Sequence, residues 1–334
     1  MAKVFITGGS GFIGTNAIEF FLKAGHEVFN FDMRTPQNEN HNTFWKKGNI
    51  NNIEAYKQAV LSFAPDYFLH LAARTDLLEE NDLEKGYRTN IGGVSNTIEI
   101  LKECTSVKRV IFVSSRMVCR IDYIPENFED YCPPNLYGAS KVLGEKLVKE
   151  SDLHCEWCIV RPTSIWGPWF DTPYITFFRT ILKNFYFHPG KYNPLKSFGY
   201  VENTVYQLSK LLFAPVDKIQ KKSFYLCDYP ALNLKEWSEM IRIELNSKPI
   251  KTYPMWLLKT AALFGDVLYK IGFKNPPITS FRLNNLITNM VYDTKELESI
   301  CGPLPYELLY GVKSTVSWMK TNKNRDKLML PKDE

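Results

Sequence analysis

The stretch Thr7-Gly8-Gly9-Ser10-Gly11-Phe12-Ile13-Gly14 constrains this chain more than any other. It follows the apolar run Val4-Phe5-Ile6-Thr7 and leads straight into a helical pattern. Glycines at such a junction let the backbone turn tightly and let a ligand approach the helix N-terminus. The N–H groups of that first turn, with the helix dipole behind them, favour an anion such as a pyrophosphate. The rest of the sequence continues the alternation. Short apolar runs at Val28-Phe29-Asn30-Phe31, Tyr67-Phe68-Leu69-His70-Leu71, Val110-Ile111-Phe112-Val113 and Cys158-Ile159-Val160 are separated by helical patterns around 13–24, 52–62, 86–103 and 137–150.

This order predicts an α/β fold, a doubly wound parallel sheet of the Rossmann type with a smaller C-terminal substrate-binding domain. The nucleotide-binding domain is placed at 1–164, with returning segments near 200–228, because 203–213 reads as a helix and 223–226 as a strand. Residues 165–320 are assigned mainly to the second domain. It opens on an aromatic-rich stretch from Trp166 to Phe187 that suits a domain core and a surface for stacking a base equally well. The polar tail 321–334 is expected to fray.

A chain of 334 residues, 45% of them hydrophobic, can bury a full core. Its net charge of +5 is spread along the sequence without the basic stripe of a nucleic-acid-binding protein, so no nucleic-acid partner is expected. The mild excess suits an anionic small molecule. Seven scattered cysteines fit free thiols in a reducing compartment, and the start lacks a secretory pattern, so a cytoplasmic location is expected. Cys155 and Cys158 lie on a strand pattern where positions three apart face opposite ways, so no metal site is expected. The longest apolar stretch, Met255 to Phe273, is broken by Lys259, Asp266 and Lys270 at helical spacing. That argues against a spanning helix. A core or substrate-domain helix is expected there, with contact to a membrane surface as the alternative.

Asp32 closes the second strand, eighteen positions after Gly14, where a carboxylate accepts hydrogen bonds from adenosine ribose hydroxyls. A 2′-phosphate there meets like-charge repulsion, only partly offset by Arg34, so NAD is expected over NADP. Tyr137 and Lys141 stand four apart on one helix face. Tyrosine, with an ordinary pKa of about 10, becomes a base at neutral pH only beside positive charge, which Lys141 supplies. Ser114-Ser115 follows an apolar strand at the end where open sheets place ligands, and a serine there can hydrogen-bond a reacting hydroxyl.

Together these pieces resemble the extended short-chain dehydrogenase/reductases, specifically the NAD-dependent sugar epimerase/dehydratase family, with its GxxGxxG turn, Ser/Thr after the fourth strand and YxxxK. Further pieces fall in the family's order over nearly the whole chain: His70-Leu71-Ala72-Ala73, Asn90, Ser140-Lys141 with Glu145, and Arg161-Pro162 leading to Trp166-Gly167-Pro168. The resemblance implies Ser115, Tyr137 and Lys141 as catalytic residues. It implies Gly8, Gly11, Phe12, Ile13, Gly14, Asp32, Asn49, Ile50, Leu71, Ala72, Ala73 and Lys141 as NAD-binding residues, with Asn49 standing where an aspartate is usual near adenine. His70 and Asn90 are read as structural. Lys196 falls at the family's phosphate-contacting position and Arg282 in its substrate region, where phosphate contact and a structural ion pair both remain open.

One departure narrows the chemistry. Dehydratases of this family carry an Asp-Glu pair straight after the catalytic Thr, whereas this chain has Arg116 and Met117. Without that acid and base, 4,6-dehydration is not expected. Arg116 suits a sugar carboxylate or phosphate, or simply solvent. The expected activity is an NAD-dependent nucleotide-sugar 4-epimerase that transiently oxidises C4 with Tyr137 as base. The alternatives are an NAD(P)-dependent dehydrogenase or ketoreductase on a sugar or alicyclic alcohol, and a catalytically silent NAD-binding regulator. A homodimer formed through 86–103 and 137–150 is also implied. If Asp32 sets cofactor choice, Asp32→Ala should narrow the preference for NAD over NADP on the order of tenfold, read as the ratio of dissociation constants. Equal binding of both cofactors by the unaltered chain would remove the argument.

Overall fold

The structure is a computed structural model that describes residues 1–76, 82–172, 174–273 and 276–321; the rest of the expected tail, 322–334, lies outside the described residues. The chain forms two compact units. The first comprises Met1–Ile165, Gly199–Cys227 and Asp293–Pro305, and the second Trp166–Phe198, Asp228–Tyr292 and the chain from Tyr306 onward.

Seven strands build the sheet of the first unit: β1 Lys3–Thr7, β2 Glu27–Asp32, β3 Trp45–Lys47, β4 Tyr67–His70, β5 Arg109–Val113, β6 Glu156–Pro162 and the returning strand Lys222–Leu226. They lie in the order returning strand, β6, β5, β4, β1, β2, β3, and every pairing is parallel. Strands covered on both faces need continuous apolar runs, and Val4, Phe5 and Ile6 of β1 are wholly buried. The helices α1 Phe12–Lys23, α2 Ile53–Phe63, α3 Leu83–Glu103 and α4 Leu136–Glu150 connect the first six strands. β3 escaped the sequence reading because it is three residues long and holds two lysines, a composition suited to a sheet edge. α3 begins earlier than its apolar periodicity because Tyr87 leaves helical geometry and breaks the pattern.

Strand order reverses between β1 and β4, and ligands of such sheets sit at the carboxyl ends beside that reversal. Thr7 pairs with Phe31 and His70, and His70 pairs with Phe112, so these strands end level with one another. The glycine turn after β1, Leu71-Ala72-Ala73 after β4 and Ser114-Ser115 after β5 therefore emerge along one edge. Beneath them Phe5 stacks on Phe29 at 5.1 Å and on Phe68 at 5.0 Å, while Phe31 stacks on Tyr56 at 5.2 Å.

The aromatic run after residue 164 builds the core of the second unit. Trp166, Phe170, Phe178 and Trp237 are buried, Trp166 and Trp237 lie 5.2 Å apart, and Phe177 stacks on Trp237 at 4.9 Å. Among the described Trp and Phe rings from Trp166 to Phe187, only Phe185 is broadly exposed.

Two glycines show what the turn after β1 demands. A Cβ on Gly14 would collide with the Gly8 carbonyl and sit 2.6 Å from Gly9 Cα, whereas one on Gly25, also at a tight turn with φ +78°, would meet nothing within 4 Å. Gly14→Ala should therefore destabilise the protein by about 3 kcal/mol and weaken cofactor retention. Gly25→Ala should cost only about 1 kcal/mol, the penalty of left-handed backbone. Urea midpoints of the two variants measure the difference, and equal midpoints would contradict it.

Candidate active site

The glycine turn is held from both sides. Gly8 N donates to Phe31 O at 3.1 Å and Gly11 N to Gly8 O at 3.0 Å. Gly8 has φ +73°, and a Cβ there would stand 2.6 Å from Ala72 N. Leu71 N donates to Thr7 O at 3.1 Å and Ala72 N to Thr7 Oγ1 at 3.3 Å, drawing the two loops together. Gly11 caps α1 without a side-chain hydrogen bond, and the first turn carries no acid, so its positive end is not neutralised locally. Phe12 and Ile13 are half-buried there.

Asp32 is buried and braces the same turn: Oδ2 accepts from Ser10 N at 3.1 Å and Oδ1 from Arg34 N at 2.9 Å. The Arg34 side chain is largely exposed, with Nε 3.9 Å from Asp32. Asn49 accepts from Asn51 N at 2.9 Å, and Ile50 is packed under Gly93 of α3. A turn too crowded for side chains, an uncapped helix start and a carboxylate at the end of β2 fit a dinucleotide, the pyrophosphate on the turn and the ribose on Asp32.

The second half of the site joins β5 to α4. Ser115 opens a short turn, Arg116–Val118, and its Oγ accepts from Met117 N at 3.1 Å. Asn135 caps α4 by accepting from Gly138 N at 2.9 Å, which sets Tyr137 in the first turn. Lys141, one turn on, is buried with Nζ 6.0 Å from the Tyr137 ring centroid and donates to Val113 O at 2.9 Å, at the end of β5. Burial lowers its pKa to about 8, against an opposing pull from Glu145. Asn90 of α3 ties the parts together: it donates to Ser140 Oγ at 2.9 Å and to Arg74 O at 3.0 Å, and accepts from Arg74 N at 2.7 Å.

His70 lies beneath, with Nδ1 3.1 Å from both Thr7 Oγ1 and Thr97 Oγ1. Burial, helped by the Lys141 charge, drops its pKa to about 3, so it is neutral. A cavity of about 20 Å³, room for one water molecule, is lined by His70, Asn90, Ser114, Lys141 and Glu145 among others.

Sequence reasoning named Glu145 and Arg161 but missed that they form one buried ion pair. Arg161 donates to Glu145 at 2.8 and 2.7 Å, while Ser114 Oγ and Tyr131 OH donate to the same carboxylate at 2.6 and 2.9 Å. The rings of Phe128, Tyr131 and Tyr225 enclose the guanidinium at 5.1 to 5.6 Å. The available signal was an arginine inside an apolar strand and a glutamate on the inward face of a helix.

Arg116 is half-buried beside Ser115, and its Nη1 has no hydrogen-bond partner among the described residues. Lys196 and Arg282 belong to the second unit. Lys196 is buried, its ammonium donating to Asn285 O at 2.7 Å and Thr288 O at 2.6 Å, at the carboxyl end of the helix Ser280–Ile287. Arg282 is exposed, donates to Pro276 O at 2.5 Å and makes no ion pair among the described residues. No group of three or more His, Cys, Asp or Glu gathers as a metal site among the described residues, and all seven cysteines are free thiols.

A family model described as the NAD dependent epimerase/dehydratase family matches residues 4–226. The chain is 24% identical to a UDP-glucose 4-epimerase of Vibrio cholerae, with 97% of each chain covered. It is also 24% identical to a 3-beta-hydroxysteroid dehydrogenase of Mycolicibacterium neoaurum, covering 95% of this chain and 90% of that one. The crystal structure of a UDP-glucose 4-epimerase from Thermotoga maritima with UDP-glucose shares the fold, with a TM-score of 0.71 at 18% identity over 98% of this chain and 100% of that one. The match spans the whole strand series from β1 to the returning strand, so the chain belongs to the NAD-dependent epimerase/dehydratase family of extended short-chain dehydrogenase/reductases, with NAD as its cofactor.

Proposed function

We propose that the chain is a nucleotide-sugar 4-epimerase in which Tyr137 is the base, Ser115 orients the reacting hydroxyl and Lys141 holds the nicotinamide ribose and lowers the tyrosine pKa. The observation that carries this reading is the arrangement of Tyr137 and Lys141 on α4 against the end of β5, where Lys141 Nζ stands 6.0 Å from the Tyr137 ring. When bound, NAD supplies a reversible hydride acceptor. Tyr137, as phenolate, takes the hydroxyl proton and later returns it. Ser115 accepts from Met117 N and keeps its own hydrogen for the substrate oxygen. Gly8, Gly11, Phe12, Ile13 and Gly14 receive the pyrophosphate, Asp32 the adenosine ribose, and Asn49, Ile50 and Leu71 to Ala73 the rest of the cofactor.

Arg116 and Met117 replace the acid–base pair that water removal needs, which supports epimerisation over dehydration. Similarity to UDP-glucose 4-epimerases supports the nucleotide-sugar substrate. Similarity to a 3-beta-hydroxysteroid dehydrogenase supports a second reading, net oxidation of an alicyclic alcohol by the same three residues. Arg116, with an unpartnered buried nitrogen next to Ser115, is the side chain we assign to an anionic group on the substrate.

Incubation with one equivalent of NAD and a panel of UDP- and dTDP-sugars, followed by proton NMR and by absorbance of reduced cofactor, separates the two readings. A C4 epimer without accumulating NADH is expected. NADH rising in step with a keto product would replace epimerisation with dehydrogenation. Tyr137→Phe should slow turnover by about 10²- to 10⁴-fold with NAD affinity nearly unchanged; near-normal turnover would refute the base.

Lys141 makes a separate prediction for the cofactor-free protein. Its folded pKa of about 8 lies below the ordinary 10.5, so between those pH values the unfolded chain holds a proton that the folded chain lacks. Stability should therefore rise as pH climbs through that window. Lys141→Met should remove the rise, being the more stable form at pH 7 by on the order of 3 kcal/mol and losing most of that advantage by pH 10. Parallel unfolding curves of both forms at all pH values would contradict it.

A further inference from the structure

The helix Met255–Lys270 has its polarity inverted. Its buried stripe is Leu258, Ala262 and Gly265, two of them small, because the helix Ser280–Ile287 and the segment before it pack closely there and Gly265 leaves no room for a side chain beside the Ile278 carbonyl. The bulky residues face outward. Trp256, Leu263, Phe264 and Val267, with Ile271 at the helix end, are between 54% and 74% exposed and fall on one face at helical spacing. Monomeric proteins rarely expose so continuous an apolar surface without an occupant for it.

Charge around this face indicates which occupant. The described residues from Lys251 to Arg282 hold four basic side chains, Lys251, Lys259, Lys270 and Arg282, all exposed, against one acid. That acid, Asp266, accepts from Ser280 N at 3.0 Å. More than half of the chain's net charge of +5 thus lies in this short segment. A second copy docked on the same face would bring like charges together, whereas an anionic lipid surface would neutralise them. Aromatic and aliphatic side chains rimmed by lysines are the composition of a helix lying in the headgroup boundary. Among the described residues no helix is long and apolar enough to cross a membrane, so the contact is with one surface.

We propose that the outward face of Met255–Lys270 docks the protein onto an anionic phospholipid surface. This docking is independent of the reaction assigned to Tyr137. The test is flotation of the NAD-loaded full chain with vesicles of phosphatidylcholine alone or with added phosphatidylglycerol. Binding is expected to the anionic vesicles, to weaken as salt rises, and to fall about tenfold or more in the double variant Leu263→Ser/Phe264→Ser and in Lys259→Glu/Lys270→Glu. Because all four positions are exposed, the variants should keep the thermal midpoint and NAD affinity of the parent. Quenching of tryptophan emission by brominated lipid, lost in Trp256→Phe, provides a second readout. No flotation of the parent at low salt, or flotation indifferent to these substitutions, would overturn the proposal. A parent dimer that Phe264→Ser converts to monomer in the absence of lipid would assign the face to a second copy instead.

Discussion

The approach of Gly8 to Ala72 is the contact on which the rest of the first unit depends. β1 and β4 are neighbours at the point where strand order reverses, and their carboxyl ends stay level only because the backbone of one passes where a side chain of the other would otherwise stand. Thr7 locks that approach from both directions, offering its carbonyl to Leu71 and its hydroxyl to Ala72. Thr7 Oγ1 also lies beside His70, which Thr97 links in turn to Tyr56 of α2. The floor of the proposed cofactor site and the core below it are therefore one hydrogen-bonded block. A shift in the turn would be felt at α2 and α3 as well as at the ligand.

Charge is handled differently on the two sides of this block. Toward the proposed cofactor site, the Asp32 carboxylate at the end of β2 accepts from two backbone N–H groups. Toward the proposed reacting centre, Lys141 is buried with one backbone carbonyl as acceptor among the described residues, and burial lowers its pKa. Deeper still, Glu145 and Arg161 bury a full ion pair that satisfies Ser114 and Tyr131 as well. Such a pair rarely adds net stability over an apolar replacement, although losing one partner is severely destabilising. Its value here is positional, because Ser114 precedes Ser115 and α4 carries both Tyr137 and Lys141. The pair clamps β5, β6 and α4 to one another directly under the proposed catalytic side chains.

The second unit follows a different economy of side chains. Its aromatic residues gather around Trp166 and Trp237 as a core, which leaves the helix Met255–Lys270 to pack through small residues and to present its large ones outward. Lys196 belongs to the same logic. It bridges two carbonyls at a helix end, a place where a lysine opposes the negative pole of the helix dipole.

Much of this was readable from residue order. Apolar runs of strand length, helical spacing between them, the glycine turn after the first run and YxxxK at a helix start are local patterns, and local patterns survive without knowledge of neighbours. The doubly wound sheet and the gathering of Ser115, Tyr137 and Lys141 near one sheet edge followed from them. Three things needed tertiary structure. The strand Trp45–Lys47 exists only because β2 offers it a partner, since its own sequence has no strand signal. The Glu145–Arg161 pair joins residues sixteen apart that meet only once α4 lies on β6. Finally, the helix Met255–Lys270 has apolar residues on every side but that of Lys259, Asp266 and Lys270, and which of them faced inward was decided by the close packing at Gly265. Periodicity reports that a face is apolar, but only packing decides whether anything covers it.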